Sequence, residues 1–77
     1  MPVAAYILID VTPGNSDRIT RELLQISGVK SAHRVTGPHD IIAYVETSDM
    51  SMLGRVLSSR IHAINGILRT ETDVLVD

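Results

Sequence analysis

The 77-residue sequence has no cysteine, no tryptophan and no phenylalanine, and only two tyrosines. Without cysteine there is no disulfide staple and no thiolate metal site. Without Trp or Phe there is little on which a nucleic-acid base could stack. The seven Lys and Arg are scattered as Arg18, Arg21, Lys30, Arg34, Arg55, Arg60 and Arg69 with no basic run, so no direct nucleic-acid surface is expected. The longest apolar run, Val3 to Ile9, is far short of the roughly 20 residues that cross a bilayer. Met1-Pro2 brings no basic region of the kind that opens a signal peptide. A cytoplasmic protein with no membrane partner is the resulting expectation.

What is present is an apolar chain of ordinary charge, 44% hydrophobic with a net charge of −2, which fits a folded globular domain. A unit of this length buries only about 60% of the surface its unfolded chain exposes. Residues 1–77 are therefore expected to form one domain that is marginal as a monomer. With no disulfide available, self-association is the expected stabiliser.

Val3 to Val11 is rich in β-branched residues and stops at the turn formers Thr12-Pro13-Gly14-Asn15. The period then changes. Ile19, Leu23, Leu24 and Ile26 recur at helical spacing, which predicts a helix over 14–27, capped by Asn15 or Ser16 and ended by Gly28. Val29 to Thr36 and Ile41 to Thr47 read as two strands of a hairpin. Ser48 or Asp49 caps a second helix whose apolar face is Leu53, Val56, Leu57, Ile61 and Ile64, ending at Asn65-Gly66 before a last strand from Ile67 to Val76.

Shifting the chain by 38 residues superposes its two halves without a gap: Ala5, Tyr6, Ile26 and Gly28 fall on Ala43, Tyr44, Ile64 and Gly66. Val3 meets Ile41, Ile19 meets Leu57, Leu23 meets Ile61 and Val29 meets Ile67 in the same register. Two equivalent βαβ halves predict an α+β, ferredoxin-like βαββαβ fold, a four-stranded antiparallel sheet with both helices on one face. Val3, Ala5, Ile7, Ile9 and Val11 then point under the helices with Ile41, Ala43 and Val45. The other face carries Tyr6, Leu8, Ile42 and Tyr44. These four are either tolerated surface or, as small size and the lack of another staple favour, the face of a dimer that packs sheet against sheet.

Chemistry-bearing motifs are sparse. His33, His39 and His62 form no short ligand motif with each other or with a carboxylate, so no metal site is expected; His62 is explained by a place at the end of the second helix. No Ser lies in a nucleophile elbow and no glycine loop of the phosphate-binding kind is present, so neither catalysis nor a cofactor is expected. The segment Thr36-Gly37-Pro38-His39-Asp40 gathers the unusual residues. It can be a plain turn. It can also be a binding loop in which Gly37 admits a ligand to the backbone, neighbouring amides meet a carboxylate and Asp40 accepts from an ammonium, the two ends of an amino acid.

From Gly28 onward the string GVKSAHRVTGPHDIIAYVET resembles the effector-binding domain of the Lrp/AsnC, or feast/famine, regulators through Gly28, Val29, Ala32, Val35, Thr36, Gly37 and Asp40. The ending NGILRTETDVL resembles the same family's last strand. Members typically carry an N-terminal helix-turn-helix domain, whereas this sequence begins directly at the first strand and so resembles a stand-alone ligand domain. DNA binding does not carry over. Pro38-His39 also departs from the polar residue and aromatic often found there. The resemblance implies dimers through the sheets, closed rings such as octamers or decamers, and an amino-acid effector bound between dimers at the hairpin. Carried over by position, the effector contacts are Thr36, Gly37, Pro38, His39 and Asp40, with Thr70 and Thr72 as hydroxyl contacts on one strand face. Mixed assembly with full-length Lrp/AsnC regulators is a further implied partner. The other readings are an ACT-like regulatory domain and a small dimeric αβ-barrel enzyme with a pocket between sheet and helices. Asp40→Ala is expected to weaken binding with little loss of fold.

Overall fold

The computed structural model describes residues 2–77. Its elements follow in the order β1 (Val3–Val11), α1 (Ser16–Leu23), β2 (Val29–Arg34), β3 (Ile41–Thr47), α2 (Met50–Arg55) with a π-helical continuation over Val56–Ile61, and β4 (Ile67–Val74). The four strands form one antiparallel sheet in the order β2-β3-β1-β4. This is the expected βαββαβ arrangement.

Alternation along β1 and β3 decides what the sheet covers. Ala5, Ile7 and Ile9 pair with Val45, Ala43 and Ile41, and all six side chains are fully buried. Ile19 and Leu23 of α1 and Leu53, Val56 and Ile61 of the second helix close over them, and Leu57 and Ile64 pack at the margin. Burying an aliphatic side chain of this size stabilises by roughly 1.5–3 kcal/mol, so this layer holds the sheet and helices together.

The helices depart from expectation at their ends. The first α-helix is eight residues long rather than spanning 14–27, because after Leu23 the chain tightens into i→i+3 turns, Gln25 N–H to Glu22 O and Ile26 N–H to Leu23 O. Asn15 sits at its N-cap but does not cap it through its side chain. Its backbone is already helical, with ψ near 0°, and its Nδ2 donates to Thr12 Oγ1 at 2.7 Å instead. In the second helix Asp49 is the cap, accepting from the Met52 N–H at 2.8 Å. That helix widens beyond Arg55, where the His62 N–H bonds Leu57 O at 2.9 Å across five residues. β2 stops at Arg34 rather than Thr36, and β4 at Val74 rather than Val76, although Leu75 N–H still reaches Ala4 O at 2.9 Å.

The two halves repeat in the backbone as well as in the sequence. Gly28 and Gly66 take φ of 99° and 105°, the left-handed region that favours glycine, as each helix turns into its strand. One residue beyond Val29 and Ile67, Lys30 and Leu68 each fall out of the strand pairing, so the register slips at the same place in both halves. Nothing in the residue types at Lys30 and Leu68 announces that bulge.

Candidate functional site

The hairpin between β2 and β3 is stitched to β1 by Asp40. Its N–H donates to Ile9 O at 3.0 Å, its carbonyl accepts from Val35 N–H at 3.0 Å, and its Oδ2 accepts from Val11 N–H at 2.9 Å. Ile9 and Ile41 are the last residues paired between β1 and β3. The Asp40 carboxylate thus takes the place a ladder carbonyl would hold one step further on. Asp40 is exposed, as expected of a solvent-side carboxylate, but it has a larger part in the fold than expected: its backbone and Oδ2 anchor the loop, and among the described residues Oδ1 has no partner.

Anchored in this way, Thr36, Gly37 and Pro38 project into solvent. Gly37 has φ of 128°, and a Cβ placed there would meet no atom within 4 Å. The glycine is therefore required by backbone conformation and not by crowding, and it leaves the loop backbone open to approach.

His39 turns inward to Asp10, with its Nδ1 3.1 Å from Asp10 Oδ1. Arg69 reaches the same carboxylate from β4, donating through Nε and Nη2, each 3.0 Å from Asp10 Oδ2. Asp10 is the meeting point of β1, the hairpin and β4, and its side chain is 14% exposed. The hydrogen bond from His39, and after it that from Arg69, hold its carboxyl below the ordinary value of 3.8. The Arg69 side chain is 79% exposed and Asp10 14%, so the pair is open to water on the Arg69 side and screened there.

Two open clefts share Arg69 in their lining. One is lined by Asp10, Pro38, Asp40 and Leu68, the other by Leu8, Asp10, His39, Thr70 and Glu71. Three of the residues expected to bind, Pro38, His39 and Asp40, are gathered here. Thr70 borders the second cleft, but its hydroxyl is engaged, 2.8 Å from Nε2 of His62 at the end of the second helix. Thr72 stands opposite Ile7, on the same helix-side face of β4 as Thr70 and outside both clefts. Asp10 and Arg69 were absent from the residues expected to bind. The signal that could have found them is their charge at the ends of strands whose other outward neighbours are Tyr6 and Leu8, but only the β1–β4 register shows that they face each other.

On the sheet face away from the helices, Tyr6 lies opposite Tyr44 and Leu8 opposite Ile42. The tyrosine rings are 5.2 Å apart and tilted by 52°, and Tyr6 remains 46% exposed. The phenol of Tyr44 donates to Glu46 at 3.1 Å. That hydrogen bond raises its pKa above the ordinary 10.0, because ionisation would place two negative charges together. The four residues form an apolar centre with Asp10, Glu46, Glu71 and Asp73 around it.

Among known proteins, the family defined as the Lrp/AsnC ligand binding domain matches residues 4–77. An HTH-type transcriptional regulator of Pyrococcus abyssi is 34% identical over 73 residues, covering 95% of this chain and 46% of that regulator. The chain therefore spans about half the length of that relative. A crystal structure from Thermus thermophilus superposes with a TM-score of 0.93 at 27% identity, covering 97% of this chain and 94% of the other. A transcriptional regulator of Neisseria meningitidis, crystallised as a complex with L-Met, shares the fold with a TM-score of 0.86 at 14% identity, over 97% of this chain and 50% of its own. The chain belongs to the Lrp/AsnC ligand-binding domain family.

Proposed function

We propose that the protein is an effector-binding regulatory module that takes a small molecule, an amino acid, at the Thr36–Asp40 hairpin, and that it works as an assembly of dimers. The observation that carries this reading is the convergence of an open glycine backbone at Gly37, a shared carboxylate at Asp10 and an exposed guanidinium at Arg69 beside that hairpin. An amino acid needs an anion acceptor and a cation acceptor a few ångströms apart. Arg69 and the loop amides supply the first, and Asp10 with the free Oδ1 of Asp40 supplies the second. The L-Met bound by the Neisseria regulator belongs to the same class of ligand.

The clefts beside Arg69 are open to solvent, so one subunit covers a ligand only in part. A neighbouring subunit seated over the hairpin would complete the enclosure. Sheet-to-sheet dimers through Tyr6, Leu8, Ile42 and Tyr44 would leave the hairpins free for such a second contact, giving an octameric or decameric ring. Mixed assembly with full-length Lrp/AsnC regulators is the route by which binding here would reach transcription.

Native mass spectrometry with and without each amino acid tests the reading. A ligand-dependent change in ring population, reduced in Asp40→Asn, supports it. A population that no amino acid alters, in an intact oligomer, opposes it.

A further inference from the structure

A cavity of about 520 Å³, larger than either cleft beside the hairpin, opens at the opposite end of the sheet, between the start of β2, the end of β3 and the second helix. Its volume is within the roughly 300–1,000 Å³ of small-molecule sites. Ile26, Met52 and Val56 give it an apolar floor, and Lys30, Arg55 and Arg60 line it with positive charge. The charge distribution there is unusual for a chain of net charge −2. Arg18, Arg21 and Arg69 each have a carboxylate partner, whereas Lys30, Arg34, Arg55 and Arg60 have none among the described residues. Three of those four unpaired cations are in this one cavity. Glu46 also borders it, yet its carboxylate is turned to the other face of the sheet, where it accepts from Tyr44.

Two features of the backbone bring these cations together. Lys30 is the bulged residue of β2, left out of the pairing with β3, and a bulge turns the extra side chain out of strict alternation. The second half repeats that bulge with Leu68, so the conformation belongs to the fold and the cation is particular to this end. The second helix contributes the other feature. Its π-helical stretch over Val56–Ile61 has no counterpart in α1, and it contains Val56, Ser59 and Arg60 of the cavity wall. Widened turns of this kind cost hydrogen-bond geometry and recur at binding sites.

We infer that this cavity binds a small organic oxyanion carrying at least two negative charges, a phosphate ester or a polycarboxylate, at a site separate from the hairpin. Three unpaired cations call for more charge than a single carboxylate brings, and the guanidinium groups match both phosphate and carboxylate geometry. The apolar floor accommodates a carbon skeleton. The position, inside one subunit between sheet and helix, is also where an αβ-barrel enzyme would hold a substrate. The cations that line the cavity supply charge for holding an anion, and binding is the property inferred for it.

The experiment is an amide-shift NMR titration of the intact protein with inorganic pyrophosphate and, separately, with citrate, at constant ionic strength set by chloride. The inference expects saturable shifts of Lys30 and of residues 55–60 with at least one of the two probes, and which probe binds names the ligand chemistry. Arg55→Ala and Arg60→Ala, both at exposed positions, should each weaken that binding about tenfold. Arg21→Ala, a cation of α1 outside the cavity, should leave it unchanged. Shifts that do not saturate, or an equal loss in Arg21→Ala, overturn the inference. Amino-acid titrations of the same samples report on the hairpin separately, so either site can fail without the other.

Discussion

Replacing Asp40 separates anchoring from binding. In Asp40→Ala the Val11 N–H loses its acceptor at 2.9 Å, and Val11 is only 7% exposed. A hydrogen bond to a charged group contributes about 1.5–3 kcal/mol when desolvated. Asp40 itself is exposed, so water can take over part of the role, and a loss of about 1 kcal/mol is the expected outcome. For a chain of this length that lowers the thermal midpoint by roughly 4–8 °C. Asp40→Asn keeps a carbonyl oxygen at the same place while removing the charge, and should lose less than half as much. Differential scanning calorimetry of the three proteins at neutral pH and equal concentration reads the difference. An Asp40→Ala midpoint within about 1 °C of the parent, or an Asn variant as destabilised as the Ala variant, would refute the anchoring role. If the ordering holds, Asp40→Asn is the variant for binding studies, because its hairpin stays docked.

Three further outcomes are expected. Gly28→Ala should unfold at lower urea than Gly37→Ala: both positions have positive φ, but only at Gly28 does a Cβ meet a backbone oxygen, Glu46 O at 3.1 Å, and equal midpoints would contradict this. Tyr6→Asp places a charge at the apolar centre of the open sheet face, and sedimentation velocity should show the proposed sheet-to-sheet dimer dissociating toward monomer; an unchanged distribution would remove that face from the proposed interface. Asp10 has a folded pKa below its ordinary 3.8. Its contribution to stability is therefore fully present above that unfolded value and lost as pH falls through the lower folded one. Acid-titrated urea unfolding should show a smaller loss of stability below pH 4 in Asp10→Asn than in the parent, and parallel curves would deny it.

Much of the fold was legible because two periodicities and a repeat agreed. Alternation in Val3–Val11 and Ile41–Thr47, helical spacing in Ile19–Ile26 and Leu53–Ile64, and a 38-residue shift linking Gly28 to Gly66 all demanded the same two layers. The element ends were less legible because they depend on local competition. Asn15 has a cap residue's chemistry, yet Thr12 captures its side chain, and the widening after Arg55 has no signature in the residue types. In the candidate site the hairpin itself was readable from Gly37 and Asp40. Its neighbours were not, since Asp10 and Arg69 are 59 residues apart in sequence and only strand pairing brings them together. The anchoring role of Asp40 was hidden for the same reason: its partner, the Val11 N–H, belongs to another strand.

The central claim is that the hairpin binds an amino acid, and isothermal calorimetry of the intact protein against the twenty amino acids tests it most directly. At least one should bind with saturable heat at millimolar concentration or below, and the heat should diminish in Asp40→Asn and in Arg69→Ala while both variants keep the parent's oligomeric state. Absence of binding by every amino acid at millimolar concentration, or undiminished binding in both variants, would contradict it.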